Sequence, residues 1–150
     1  MKRIPPAALL LGLAGVIPFV WGAASLHSDA LALWGAKWLG ARFIGPYVQL
    51  FYGAIILAFM SGVLWGFATK APPAQAPVGY LLSVVPALWA FLMTGGGPVS
   101  ASLNLMFGFL GLLLLDYFFW VWRLAPAWWM SLRLLLTVIV VLCLGVTAFS

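Results

Sequence analysis

The sequence predicts an all-α fold, a polytopic integral membrane bundle of five transmembrane helices with the N-terminus inside and the C-terminus outside. Three observations carry this prediction. Hydrophobic residues make up 66% of the 150 residues and charged residues only 6%, against about 25% charged in a soluble domain. The apolar residues gather into five runs, each close to the roughly 20 residues that cross a ~30 Å hydrocarbon core. The stretches between the runs hold most of the lysines and arginines, unevenly shared between the two sides, which is the pattern that orients membrane proteins. The whole chain reads as one membrane domain, residues 1–150.

Lys2 and Arg3 form a short basic head, and Pro5 and Pro6 delay helix onset. The first span is expected over about residues 7–26, with Pro18 as a potential kink. The same stretch has the layout of a secretory signal peptide, with Gly22-Ala23-Ala24 as a cleavage site. Its apolar part is long for such a peptide, and it is read here as a retained span. Residues 28–45 are the long polar-leaning connection. Leu31, Trp34 and Trp38 fall at helical spacing within it, although Leu33 and Lys37 spoil a two-faced wheel. A short interfacial helix with tryptophans at headgroup depth is the expectation, with His27 and Asp29 at the same outer border.

The second span, about residues 46–69, holds the stretch FYGAIILAFMSGVLWG from Phe51 to Gly66. Ala54, Ala58, Gly62 and Gly66 recur every fourth position, and the last pair makes a G-x-x-x-G. On a helix that spacing makes a packing ridge along which another helix approaches closely. In lipid, where little hydrophobic force drives helices together, such van der Waals contact is a main source of association. This ridge makes helix two the expected centre of the bundle. Residues 70–77 form a proline-rich turn. The third span, about residues 78–94, carries Pro86 at its middle, tolerated where neighbours satisfy the freed backbone groups. Gly95-Gly96-Gly97-Pro98 is a tight turn, and without a following Lys-Ser/Thr it is no phosphate loop.

The fourth span, about residues 99–122, carries a second small and polar ridge of Ser100, Asn104 and Gly108, with Asp116 further along. Tyr117 to Trp129 is crowded with aromatics, and Trp120, Trp122, Trp128 and Trp129 are expected to form an interfacial aromatic belt, with Pro126 at the turn. The fifth span is expected at about residues 130–149. With the N-terminus inside, the inner segments hold Lys2, Arg3, Lys70, Arg123 and Arg133, and the outer ones hold Lys37 and Arg42. Five against two favours N-in, C-out.

Several of these stretches together resemble a known family. Tyr52-Gly53-Ala54, Ile56, Phe59, Gly62 and Trp65-Gly66 resemble the second-helix pattern of the family called domain of unknown function 3429. Gly12 to Phe19 resembles its first helix and Ser83 to Leu88 its third. Asp116, Ala125-Pro126-Ala127-Trp128 and Leu132-Arg133-Leu134 resemble its last hairpin. A basic or polar residue often precedes the Trp-Gly pair in that pattern, and here Leu64 stands there. The resemblance implies a small multi-pass inner-membrane protein, in the bacterial cytoplasmic membrane before the mitochondrial inner membrane. It implies no established activity.

Chemistry-bearing groups are few. The chain has no glutamate, two aspartates, one histidine (His27) and one cysteine (Cys143), so no catalytic residue, metal site or cofactor is expected. Seven scattered cations make no basic patch, and no nucleic acid partner is expected. Asp116 is expected to form an intramembrane ion pair with Arg133. The aspartate lies about 9 Å below Trp122 at 1.5 Å per residue, and Arg133 sits at similar depth on the next span. Such a pair avoids leaving either charge alone in low dielectric. An aspartate on a proton or ion path is the functional alternative, and exposure of both groups at the interface is the third. Asn104 is read as a hydrogen bond between helices, the alternative being a polar cavity lining. The expected role is non-enzymatic: an accessory, scaffold or assembly subunit in contact with the lipid bilayer and packed against another membrane protein or a second copy. The alternatives are a small carrier or channel using Asp116 and Asn104, or a lipid- or quinone-binding membrane protein.

Overall fold

The computed structural model describes residues 3–150, and the expected basic head residue Lys2 lies outside them. The described residues are all-helical, with five helices long and apolar enough to cross a membrane. The first span is Pro6–Leu26, built as α1 (Pro6–Ala14) and α2 (Ile17–Leu26). Pro18 explains the break, because its ring lacks the N–H that Ala14's carbonyl needs and clashes with that carbonyl. The chain crosses the gap by a tighter turn, in which Val16 N donates to Leu13 O at 3.2 Å and Phe19 N to Val16 O at 3.0 Å.

Residues 28–45 do form a helix, α3 (Asp29–Trp38). Ser28 caps it by accepting from Leu31 N at 3.3 Å, while Asp29 in the first turn and Lys37 in the last complement its dipole. Trp21 ties the connection back to span one by donating to Phe43 O at 2.7 Å. Span two is α4 (Gly45–Ala68), span three is α5 (Ala76–Ser83) with α6 (Val85–Met93), span four is α7 (Pro98–Val121) and span five is α8 (Trp129–Ala148).

Helix α4 is the centre of the bundle, touching α2, α5, α6, α7 and α8. Its buried positions include Gln49, Gly53, Leu57, Met60, Leu64 and Ala68, a row at helical period. The closest hairpin is α7 with α8. Its turn begins with Arg123 in the left-handed region at φ 60°, and Leu124 N then donates to Phe119 O at 3.0 Å, the bond that closes a Schellman motif. Lys70 reaches the carbonyl of Leu124, so the turn after span two lies at the same end as the turn after span four. His27 and Ser150 meet at the opposite end, 3.1 Å apart.

Span three breaks at Val84, just ahead of Pro86. A proline kink also pulls the following N–H away from its usual acceptor one turn back. Here Ala87 N donates instead to Ser61 Oγ of α4 at 2.8 Å. Ser61→Ala is therefore expected to orphan a backbone donor and cost about 1–3 kcal/mol. The readout is the unfolding midpoint in a denaturing-detergent titration of the purified protein, and an unchanged midpoint would mean the N–H has found another acceptor.

Candidate functional site

Few polar side chains lie inside these spans, so the site is built from the groups they hold. Asp116, on α7, is 0% exposed. Its Oδ2 accepts from Arg133 Nε at 2.8 Å, and its Oδ1 accepts from Trp129 Nε1 at 3.0 Å. Trp129 and Arg133 are four apart on α8 and so share a face of that helix. One carboxylate thus joins the two helices through both of its oxygens. Arg133 is itself buried, so the third alternative, exposure of both groups at the interface, does not occur.

The four belt tryptophans cluster at this end of the hairpin, but they are not equivalent. Trp129 holds Asp116, and Trp120 spans the turn by donating to Ala127 O at 3.2 Å. Trp122 stacks on Phe118, and Trp128 tilts against Trp129.

Asn104 lies twelve residues before Asp116 on α7, about 18 Å away along the helix. Its Nδ2 donates to Met93 O at 2.8 Å, and its backbone carbonyl accepts from Trp89 Nε1 at 2.6 Å. The residue fastens span four to span three. It shares no site with Asp116.

The structure also joins polar groups that sequence reasoning passed over. Gln49, 0% exposed, donates to Phe19 O at 2.8 Å and accepts from Thr147 Oγ1 at 2.6 Å. It ties spans one, two and five together. The signal was present: Gln49, Gly53 and Leu57 recur every fourth position and so occupy one helical face.

The ridge of Ala54, Ala58, Gly62 and Gly66 requires a correction. It was the expected reason for α4's central place, yet a Cβ built on Gly62 or Gly66 meets nothing within 4 Å, and Ala58 is exposed. The close contacts come from the row one residue earlier. There a Cβ on Gly53 would stand 2.9 Å from Leu105 Cδ1. The outward row borders a shallow groove in which Ala54 and Ala58 face Ala87 and Ala90 of span three. Gly108, in the second ridge, is well packed, with a Cβ there 2.7 Å from Trp89 Cδ1.

Beside the ion pair lies a cavity of about 270 Å³, walled by spans one, two, four and five. Its lining is apolar apart from Arg133 and Thr137. Among the described residues, no cluster of three or more His, Cys, Asp or Glu side chains stands ready to hold a metal ion.

The model of the family described as "Protein of unknown function (DUF3429)" matches residues 4–149. Transmembrane protein 69 of Xenopus tropicalis is 34% identical over 148 residues, which is 96% of this chain and 54% of the relative. The chain thus spans about half the length of the curated relative it matches. No solved structure matches. Leu64, where the family resemblance leads one to expect a polar or basic side chain, is 0% exposed in the core. With its five membrane-length helices and a family match over nearly its whole length, this chain belongs to the DUF3429 family of proteins of unknown function.

Proposed function

We propose that the protein is a non-enzymatic accessory or scaffold subunit that docks a helix of another membrane protein along the outward row of Ala58, Gly62 and Gly66. The observation that carries this reading is the split between the two faces of α4. Its inward face makes the bundle's contacts, while the G-x-x-x-G lies against open space. Small residues on a lipid-facing surface provide close backbone approach, which the fold itself does not use. The chemistry of the interior supports the non-enzymatic part, because Asp116 has both oxygens taken by neighbouring donors and Asn104 bridges two spans. These engagements weigh against a carrier built on those two residues. The charge asymmetry supports an N-in, C-out orientation in a bacterial cytoplasmic membrane or a mitochondrial inner membrane.

The test is a pull-down of tagged protein from native membranes in mild detergent, with the tag on the C-terminus. A stoichiometric membrane partner is expected, and it is expected to be lost with the double variant Gly62→Leu/Gly66→Leu while the variant still purifies as a folded protein. A lone monomer at every detergent concentration would sink the proposal. So would a partner that ignores the leucines. Protease treatment of sealed vesicles of known sidedness checks the orientation in the same preparation, because only an outer C-terminus loses its tag.

A further inference from the structure

We propose that the cavity beside the ion pair is a binding site for a quinone-type molecule, a flat ring with carbonyl acceptors on an apolar tail. The proposal stands apart from the docking row, which lies elsewhere on α4.

The cavity's walls include Phe19, Phe59, Phe109 and Trp129, surfaces against which a planar ring packs well. Two donors face it. Thr137 lines the cavity and is 3% exposed, and its Oγ1 has no hydrogen-bond partner. A helical threonine often donates to the carbonyl four residues back, as Thr94 does to Ala90 O at 2.5 Å. Thr137 makes no such bond, so a turn about χ1 that brings its hydroxyl to a ligand in the cavity breaks no hydrogen bond. Arg133 also lines it. Its Nε–H goes to Asp116, and a guanidinium carries five N–H groups in all. Both side chains call for acceptors on the ligand. Because Asp116 already balances the charge of Arg133, a neutral carbonyl suits the site better than an anion.

Depth separates a quinone from an ordinary bilayer lipid. Arg133 and Thr137 lie about 6 and 12 Å into α8 from Trp129, at 1.5 Å per residue. The ester carbonyls of a glycerolipid stay at the boundary of a hydrocarbon core about 30 Å thick, too shallow to meet Thr137. A compact ring that partitions into the core reaches both donors. Leu11 and Phe59, 75% and 64% exposed, stand at the rim and open the cavity sideways to the bilayer. The proline break of span one, where Gly15 and Val16 line the cavity, provides its room. Binding alone is proposed, with no electron transfer.

The test is a thermal-shift titration of the purified full chain in micelles with decylubiquinone, with decylbenzene and oleate as controls. The expected result is a saturable rise in midpoint with the quinone and little or none with either control. Thr137→Val is expected to weaken quinone binding about 5–10-fold, the effect of one net hydrogen bond. It should not lower the free protein's midpoint and is expected to raise it, since the hydroxyl has no partner to lose and its burial is uncompensated. Ile56→Phe, on the cavity wall, is expected to abolish the shift by filling the space. No saturable shift, an equal shift with decylbenzene or oleate, or unaltered quinone binding by Thr137→Val would each overturn the proposal.

Discussion

Asp116→Asn and Arg133→Gln, made singly, are each expected to cost about 3–5 kcal/mol, whereas Asp116→Leu combined with Arg133→Met recovers most of that loss. The reason is the asymmetry between breaking a buried ion pair and removing it. Asparagine keeps an oxygen for Trp129 but leaves a buried guanidinium with no opposite charge. Glutamine does the reverse and strands the carboxylate. The apolar double variant removes both desolvation costs at once and replaces them with side chains that suit the hairpin interior. The measurement is a double-mutant cycle by denaturing-detergent titration, with midpoints for wild type, both singles, the Asp116→Asn/Arg133→Gln double that closes the cycle, and the apolar double. A coupling energy near zero, the double losing what the two singles lose in sum, would exclude the pair as the tie between α7 and α8. A liposome flux assay on the same variants separates the proton-path alternative, in which transport would fall while stability held.

The sequence disclosed that pair because charge is so scarce in this chain. With one carboxylate and one arginine at matched depth on adjacent spans, low dielectric leaves few arrangements open to them. The breaks in spans one and three were legible for a similar reason, since Pro18 and Pro86 act on their own backbone wherever they stand. What satisfies the kink was not legible. Ser61 sits in an apolar run beside other small residues, and nothing local distinguishes a serine that caps a neighbouring helix from one that bonds its own. Gln49 shared a helical row with Gly53 and Leu57, but its place one turn into span two is where a polar residue is readily taken for an interfacial one. The orientation of α4 was the hardest to read. In a soluble helix the apolar stripe marks the core. Here lipid and core are both apolar, so Phe59 at 64% exposed and Leu57 at 0% look alike in sequence. The rows Gly53–Leu57–Ser61 and Ala54–Ala58–Gly62 are adjacent on the helix, and both are rich in small residues. Only the partners on α2 and α7 decide between them.

That choice of face leads to the second large effect, at Gly22. A Cβ there would stand 2.5 Å from Gln49 Cγ and 2.9 Å from the Gly45 carbonyl oxygen. The first atom belongs to a side chain held by its own hydrogen bonds, and the second to backbone, so neither yields easily. Gly22→Val is therefore expected to push α2 off α4 and cost about 1–3 kcal/mol as overpacking, plus whatever the Gln49 bonds lose when that side chain is displaced. Gly62→Val and Gly66→Val, with open space around them, are expected to stay within about 0.5 kcal/mol of wild type in the isolated protein. A second comparison locates the strain. Gly22→Ala made on a Gln49→Ala background is expected to recover only part of the Gly22→Ala loss, because the change removes the Cγ but leaves the Gly45 carbonyl in place. The same detergent titration reads all of these variants. If Gly62→Val destabilised the purified monomer as much as Gly22→Val, the inward and outward faces of α4 would be wrongly assigned, and the docking proposal would lose its basis along with them. If instead the Gly62 and Gly66 variants keep the monomer's stability and lose only the partner, folding and association are carried by opposite sides of one helix.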